Sequence, residues 1–152
     1  MRARITRSAR GFTMIELLVI IVMVGMLLAI ALPRFAEQRR RLQVDTAAHQ
    51  LAGDLRRTQV EAIRSNRTVE LASTGASTYN IQSVPTVLVP AVTVFNTRSF
   101  DGNVTFGVGS AANVRMASFG PPLTVGGAVF IVRSGAAQKT VTVSAAGRVS
   151  VQ

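Results

Sequence analysis

Cysteine and tryptophan are absent from this 152-residue chain, and histidine and tyrosine occur once each, as His49 and Tyr79. Without a thiol there is no disulfide framework, no thiolate nucleophile, no Cys-ligated iron–sulfur cluster and no zinc finger. Acids are scarce as well, with seven Asp+Glu against 17 Lys+Arg and a formal net charge of +10. An enzyme built on this chain would have to work with seven carboxylates and one imidazole. No nucleophile–base pair, carboxylate constellation or cofactor motif is visible, so the chain reads as non-enzymatic, with no metal site and no cofactor. Lys139 is the sole lysine, so arginine carries the basic charge, and contact with phosphate or anionic lipid is electrostatically permitted. Apolar residues at 48% and charged residues at 16% make a composition too apolar for disorder, at a length suited to one domain.

The apolar residues are concentrated. From Phe12 to Leu32 the sequence is FTMIELLVIIVMVGMLLAIAL, whose only ionisable side chain is Glu16. A helix of that length, at about 1.5 Å per residue, crosses the hydrocarbon core of a bilayer of roughly 30 Å. Arg2, Arg4, Arg7 and Arg10 precede it with no acid among them, which holds the N-terminus in the cytoplasm and exports the rest. Three readings fit this end of the chain. One is a plain membrane anchor. Another is a cleaved secretory signal, since Ala29-Ile30-Ala31 is a small-x-small site after the apolar run.

The third rests on the junction Arg10-Gly11-Phe12-Thr13-Met14-Ile15-Glu16-Leu17-Leu18. It resembles the class III signal of type IV pilins and type II secretion pseudopilins: a short basic leader ending in Gly, then Phe, then Glu as the fifth residue of a long apolar segment. The resemblance implies that a prepilin peptidase cuts between Gly11 and Phe12 and that Phe12 is N-methylated. It also implies that the apolar segment is kept for assembly with other pilins. A carboxylate inside an apolar helix costs on the order of 2.5–3.5 kcal/mol at mid-bilayer on insertion scales and calls for a partner. None is expected within the segment itself. The resemblance supplies one, because Glu16 would pair with the new Phe12 amine of a neighbouring subunit. Met14, Met23 and Met26 are packing residues.

After Pro33 the sequence returns to helical spacing. Val44, Ala48, Leu51, Leu55, Thr58 and Ala62 form one buried stripe, with Glu37/Arg41 and Arg57/Glu61 at i,i+4 on the wet side. The spacing predicts a helix over 13–65, kinked or softened near Pro33 and ended by Asn66. Arg39-Arg40-Arg41 reads as a solvated face next to a membrane, His49 as a surface histidine near Asp45, and Gly53 as a local weak point. Beyond Asn66, β-branched alternation predicts strands over 68–73 and 77–83, a strand or two pieces over 86–95 interrupted by Pro90, and further strands over 103–108, 128–133, 140–145 and 148–151. Val141, Val143, Val149 and Val151 alternate with hydroxyl residues, which makes the last hairpin one-faced and packs it on the Val44–Ala62 stripe. The glycine clusters at 107–109, 120 and 126–127 lack the Lys-Ser/Thr of a phosphate-binding loop and read as turns. Asn66-Arg67-Thr68 and Asn103-Val104-Thr105 fit the N-glycosylation pattern and are assigned no role.

The segment LAGDLRRTQVEAIRSNRTVEL and the ending TVTVSAAGRVSVQ are similar to the GspH/FimT group of minor pseudopilins and minor pilins. The fold this implies is α+β, a long N-terminal helix packed on one or two antiparallel sheets. The organisation expected is a basic leader over 1–11, a transmembrane and assembly helix over 12–33, an amphipathic helix over 34–66 and an antiparallel β domain over 67–152. The resemblance implies a bacterial inner-membrane protein with a single span, a cytoplasmic N-terminus and an exported C-terminal domain. Two functions follow. One is a structural subunit at or near the tip of a type II secretion pseudopilus or type IV pilus, supporting assembly and protein secretion, with inner-membrane lipid around its helix. The other is non-specific DNA binding for uptake, as in some FimT-like minor pilins, with Arg148 and Lys139 as contacts. After Glu70 the chain carries Arg98, Arg115, Arg133, Lys139 and Arg148 against Asp101 alone, so the exported face is expected to be basic. The Gly-Arg-x-Arg pattern tied to DNA binding is half present, as Gly147-Arg148-Val149-Ser150, and stacking aromatics are scarce.

Overall fold

The structure, a computed structural model, describes residues 11–85 and 90–152. The leader arginines Arg2, Arg4, Arg7 and Arg10 and positions 86–89 of the expected strand lie outside the described residues. A single helix, α1, spans Met14–Ser65 with Pro33 inside it, where the missing N–H leaves the Ala29 carbonyl without its usual donor. The chain divides into two compact units, Met1–Glu37 and Gln38–Gln152.

In the first unit every described residue is exposed within the chain. Phe12, Ile15, Leu17, Leu18, Ile21, Leu27 and Ile30 are all more than half exposed. That much contiguous apolar surface is far beyond what a soluble monomer leaves open, and it requires lipid or other protein around it.

In the second unit α1 turns one face inward. Val44, Ala48, Leu51, Leu55, Thr58 and Ala62 are buried, joined by Ala47, Ala52 and Asp54. The helix ends as its sequence predicts: Asn66 has a φ of 50°, its N–H donates to the Ile63 carbonyl at 3.3 Å, and the Arg67 N–H donates to the Ala62 carbonyl at 3.2 Å. This pair of bonds is the Schellman arrangement, made affordable by Asn tolerating the left-handed region.

Among the described residues eight strands follow: β1 (Val69–Ser73), β2 (Thr78–Ser83), β3 (Thr93–Ser99), β4 (Thr105–Phe106), β5 (Asn113–Met116), β6 (Ala128–Ser134), β7 (Ala137–Val143) and β8 (Val149–Val151). They form two antiparallel sheets, ordered β3-β2-β1-β5 and β4-β6-β7-β8. Period-2 alternation puts Val69 and Leu71, Tyr79 and Ile81, Val114 and Met116, Phe130 and Val132, and Val141, Val143 and Val149 into one core with the α1 face. A chain of rings ties the sheets together: Tyr79 and Phe100 have centroids 5.4 Å apart, Phe100 and Phe106 5.0 Å, and Phe106 and Phe130 6.3 Å. The α+β class and the helix-on-sheets architecture read from the sequence are those observed.

Beyond Pro90 the expected strand is found as β3, which extends to Ser99; Val92 docks just ahead of it, its N–H donating to the Ser83 hydroxyl at 2.9 Å and its carbonyl accepting from that hydroxyl at 3.3 Å. One strand needs correction. β5 was not expected at all. Its four residues sit between glycine- and alanine-rich loops, too short a run to stand out, yet Val114 and Met116 are fully buried beside β1.

Candidate functional site

At the N-terminal end the structure brings Glu16 together with a residue that sequence reading left unused. The Glu16 N–H donates to the Thr13 hydroxyl oxygen at 3.3 Å, and the Thr13 N–H donates to Glu16 Oε2 at 3.4 Å. Thr13 and Glu16 thus form a reciprocal capping box, satisfying two backbone donors that every helix start leaves open. This corrects the expectation that Glu16 has no partner in its own segment. The carboxylate also lies in the first turn, where the helix dipole favours an anion. Gly11 and Phe12 precede the helix and are exposed, and a Cβ at Gly11 would meet nothing within 4 Å. Ala29-Ile30-Ala31 lies inside α1.

The basic face expected on the β region is largely neutralised in the fold. Arg98 Nε stands 3.7 Å from Asp54, Arg115 Nε 3.4 Å from Glu70, and Lys139 Nζ 3.5 Å from Asp45. All three acids lie on α1 or β1, before the stretch over which the charge was counted, and folding carries them back to it. Glu70 and Arg115 face each other in the β1–β5 register, with Asn113 donating to the same carboxylate. On α1 the pairing is i,i+3, Arg57 to Asp54 at 3.7 Å and Arg64 to Glu61 at 3.6 Å, instead of Arg57 to Glu61. His49 is solvent-exposed and 3.9 Å from Asp45, as expected of a surface histidine.

Asp54 anchors the most buried polar cluster. The Tyr79 hydroxyl donates to Asp54 Oδ2 at 2.8 Å and accepts from Gln50 at 3.4 Å. Desolvation by burial, followed by the bond to Asp54 and its negative charge, holds the Tyr79 phenol well above its ordinary pKa. Tyr79 is fully buried and serves as no stacking platform.

Arg148 keeps an exposed side chain with no ion pair or hydrogen bond among the described residues, while its backbone N–H bonds the Ser144 hydroxyl at 3.1 Å. Beside it, Arg56 of α1 donates to the Val149 carbonyl at 3.3 Å. The turn before β8 holds Gly147 at a φ of 82°, where a Cβ would stand 2.5 Å from the Gln59 side chain, and the Pro121 backbone packs beside it. Sequence reading missed Arg56 as a neighbour of the Arg148–Val149 backbone, since only the tertiary contact joins the two segments.

Residues 47–147 match the family model described as Type II transport protein GspH. The chain belongs to this family. Residues 6–32 of this GspH-family chain match a second model, the prokaryotic N-terminal methylation motif. Among curated proteins it is 42% identical over 64 residues to the pilin-like protein PilA1 of Thermus thermophilus, covering 42% of this chain and 40% of that protein. It is 49% identical over 43 residues to the type IV narrow pilus major component PilA5 of the same organism, covering 26% and 37%. The matches thus span about two fifths of the length of these relatives. Among solved structures, the type IV minor pilin FimU of Pseudomonas aeruginosa superposes with a TM-score of 0.61 at 16% identity, over 78% of this chain and 92% of that one. The minor pseudopilin EpsH of Vibrio cholerae gives 0.57 at 15% identity, over 72% and 96%. These likenesses are of fold. The family is one of minor pilins and pseudopilins of type IV pili and type II secretion, structural subunits and not enzymes. The methylation motif implies processing by prepilin peptidase and assembly with other pilins, and with the apolar helix it points to membrane anchoring.

Proposed function

We propose that this chain is a minor pilin or pseudopilin cut after Gly11, methylated at Phe12 and built into a filament at or near its tip, where it supports assembly and protein secretion. The observation that carries this reading is the fully exposed apolar half of α1 directly behind the Gly11-Phe12 junction. Its side chains need first a bilayer and then the helices of neighbouring subunits to cover them. In this reading the mature chain divides at 12–33 and 34–66 into membrane and amphipathic parts of one helix, with the β region of 67–152 exported. A plain anchor would explain the apolar run but not the GspH-type domain joined to a methylation motif. Cross-linking the mature chain to co-expressed pilins through a photoreactive residue at Leu18 tests the proposal. Adducts with other pilins are expected, and adducts with lipid alone would contradict it.

A second reading, non-specific DNA binding, is favoured by one observation: Arg148 is exposed with no partner among the described residues, next to the Val149 carbonyl that Arg56 reaches. A cation free to reach phosphate is what such binding requires. Lys139 is the weaker candidate because Asp45 holds it. In gel-shift titrations at several salt concentrations, a DNA-binding chain should lose log affinity against log salt at about −0.9 per phosphate neutralised, and Arg148→Ala should reduce that slope by about one unit. Absence of salt-dependent binding, or a slope unchanged by Arg148→Ala, would leave assembly alone.

A further inference from the structure

Within the second unit, a cavity of about 460 Å³ opens between α1, the loop that precedes β4 and the β6–β7 turn, lined by Arg40, Gln43, Gly102, Asn103, Ser134 and Gly135. No carboxylate lines it. Arg40, Gln43, Asn103 and Ser134 make no side-chain hydrogen bond or ion pair with any described residue. Ser134 is 4% exposed, and its hydroxyl, which has no partner among the described residues, is open to solvent at the cavity wall.

The two glycines let the walls close in. Gly135 has a φ of 60°, and a Cβ there would stand 3.4 Å from Arg40 Nη1. Gly102 has a φ of 72°, and a Cβ there would stand 3.0 Å from Gln43 Nε2. Both turns take a conformation that L side chains rarely adopt, and the missing Cβ leaves room for the guanidinium and the amide beside the turn backbone.

We propose that this cavity binds a phosphoryl oxyanion, with Arg40 as its charged anchor and Gln43, Asn103 and Ser134 as hydrogen-bond donors. A guanidinium presents a planar fork to two oxygens of an anion. A carboxylate has only those two to offer, whereas a tetrahedral phosphoryl group has further oxygens for the two amides and the hydroxyl. Asp101, next to Gly102, lines the adjacent hollow with Gln43 and Gln50, whereas the charged side chain that lines this cavity is Arg40. The phosphoryl group can come from a lipid headgroup or from free phosphate, and the chemistry of the site is common to both.

The test uses the full chain, isotope-labelled, first in neutral dodecyl maltoside micelles with inorganic phosphate added at constant ionic strength. Saturable shifts are expected at the Gly102 and Gly135 amides and the Gln43 and Asn103 side-chain amides, with millimolar affinity, and acetate should bind several-fold more weakly. Arg40→Gln, at an exposed helix position, should weaken phosphate binding about tenfold, the scale of a lost charge-assisted fork. Arg39→Gln removes the same charge one residue away without lining the cavity and should leave the affinity within about twofold. The full chain in nanodiscs then separates the sources. Signals already at their bound positions in phosphatidylglycerol discs without phosphate indicate a lipid headgroup, and signals that move only when phosphate is added indicate the free ion. The proposal is overturned by no saturable shift in micelles or nanodiscs, by acetate binding as well as phosphate, by Arg40→Gln binding like the wild type, or by Arg39→Gln weakening binding as much as Arg40→Gln.

Discussion

Single residues in this chain carry two roles whose physics can be pulled apart. Glu16 caps its own helix through Thr13, and in the proposed filament its charge also meets a neighbour's terminal amine. Gln can close a capping box as Glu does, without the charge. Glu16→Gln should therefore keep the helix start and fail in filament incorporation, whereas Glu16→Ala should fail in incorporation and also leave the Thr13 N–H without its carboxylate acceptor, weakening the helix start. Co-purification with partner pilins reads the first effect and helical circular dichroism the second. Incorporation of Glu16→Gln at wild-type levels would mean that the charge is not what the filament uses. The T-x-x-E spacing was there to be read in the sequence, but an acid inside an apolar run drew attention to its charge and away from its cap. The Asp54–Tyr79 bond was less legible, because Asp54 sits among arginines in a helical pattern and its partner lies 25 residues on. It has a pH signature. Tyr79 has its pKa raised in the folded chain, so the unfolded chain ionises first, near pH 10. The Tyr79 contribution is complete below about pH 10 and is lost as pH rises from there toward the higher folded value. The thermal midpoint should fall above pH 10 in the wild type and fall less steeply in Tyr79→Phe. Equal slopes would contradict the raised value.

At the scale of elements, α1 is where sequence and structure agree best, since a stripe at 3.6-residue spacing over five turns admits one buried face. Leu51 and Leu55 lie at its centre with no exposed surface. Leu51→Ala should cost about 2–5 kcal/mol by calorimetry of the full chain in detergent, as a buried leucine truncation does, while Leu42→Ala, at an exposed position of the same helix, should cost far less. Similar costs at the two positions would mean that the stripe is misplaced. The hairpins β1–β2 and β7–β8 were legible for a related reason: alternation is unambiguous when hydroxyl and valine residues take turns, as at Thr140–Val143. β5 was not. Its burial depends on pairing with β1 across more than 40 residues of chain, and four residues carry too little periodicity to announce that. β3 is the piece of the expected strand that lies beyond Pro90, and its extension to Ser99 is set by pairing with β2, which the sequence pattern does not mark.

For the whole molecule, charge had to be counted after folding and not along the chain. Arg98, Arg115 and Lys139 return to acids on α1 and β1, so the +10 of the sequence gives a surface less uniformly basic than its C-terminal tally, while Arg148 stays exposed with no partner among the described residues. The family was legible because its two signatures lie at opposite ends of the fold's demands. One is a peptidase junction that only local sequence specifies. The other is a helix-on-sheets domain that the stripe and the strands specify together. What joins them is the claim that the apolar half of α1 is kept and not discarded. A Cβ at Gly11 would meet nothing within 4 Å among the described residues, so Gly11→Ala would alter the cut without disturbing the fold. The direct measurement is the intact mass and N-terminal sequence of the chain after co-expression with a prepilin peptidase. A membrane-retained product beginning at Phe12 and carrying one added methyl group is expected. A soluble product beginning at Leu32, after Ala29-Ile30-Ala31, would contradict it.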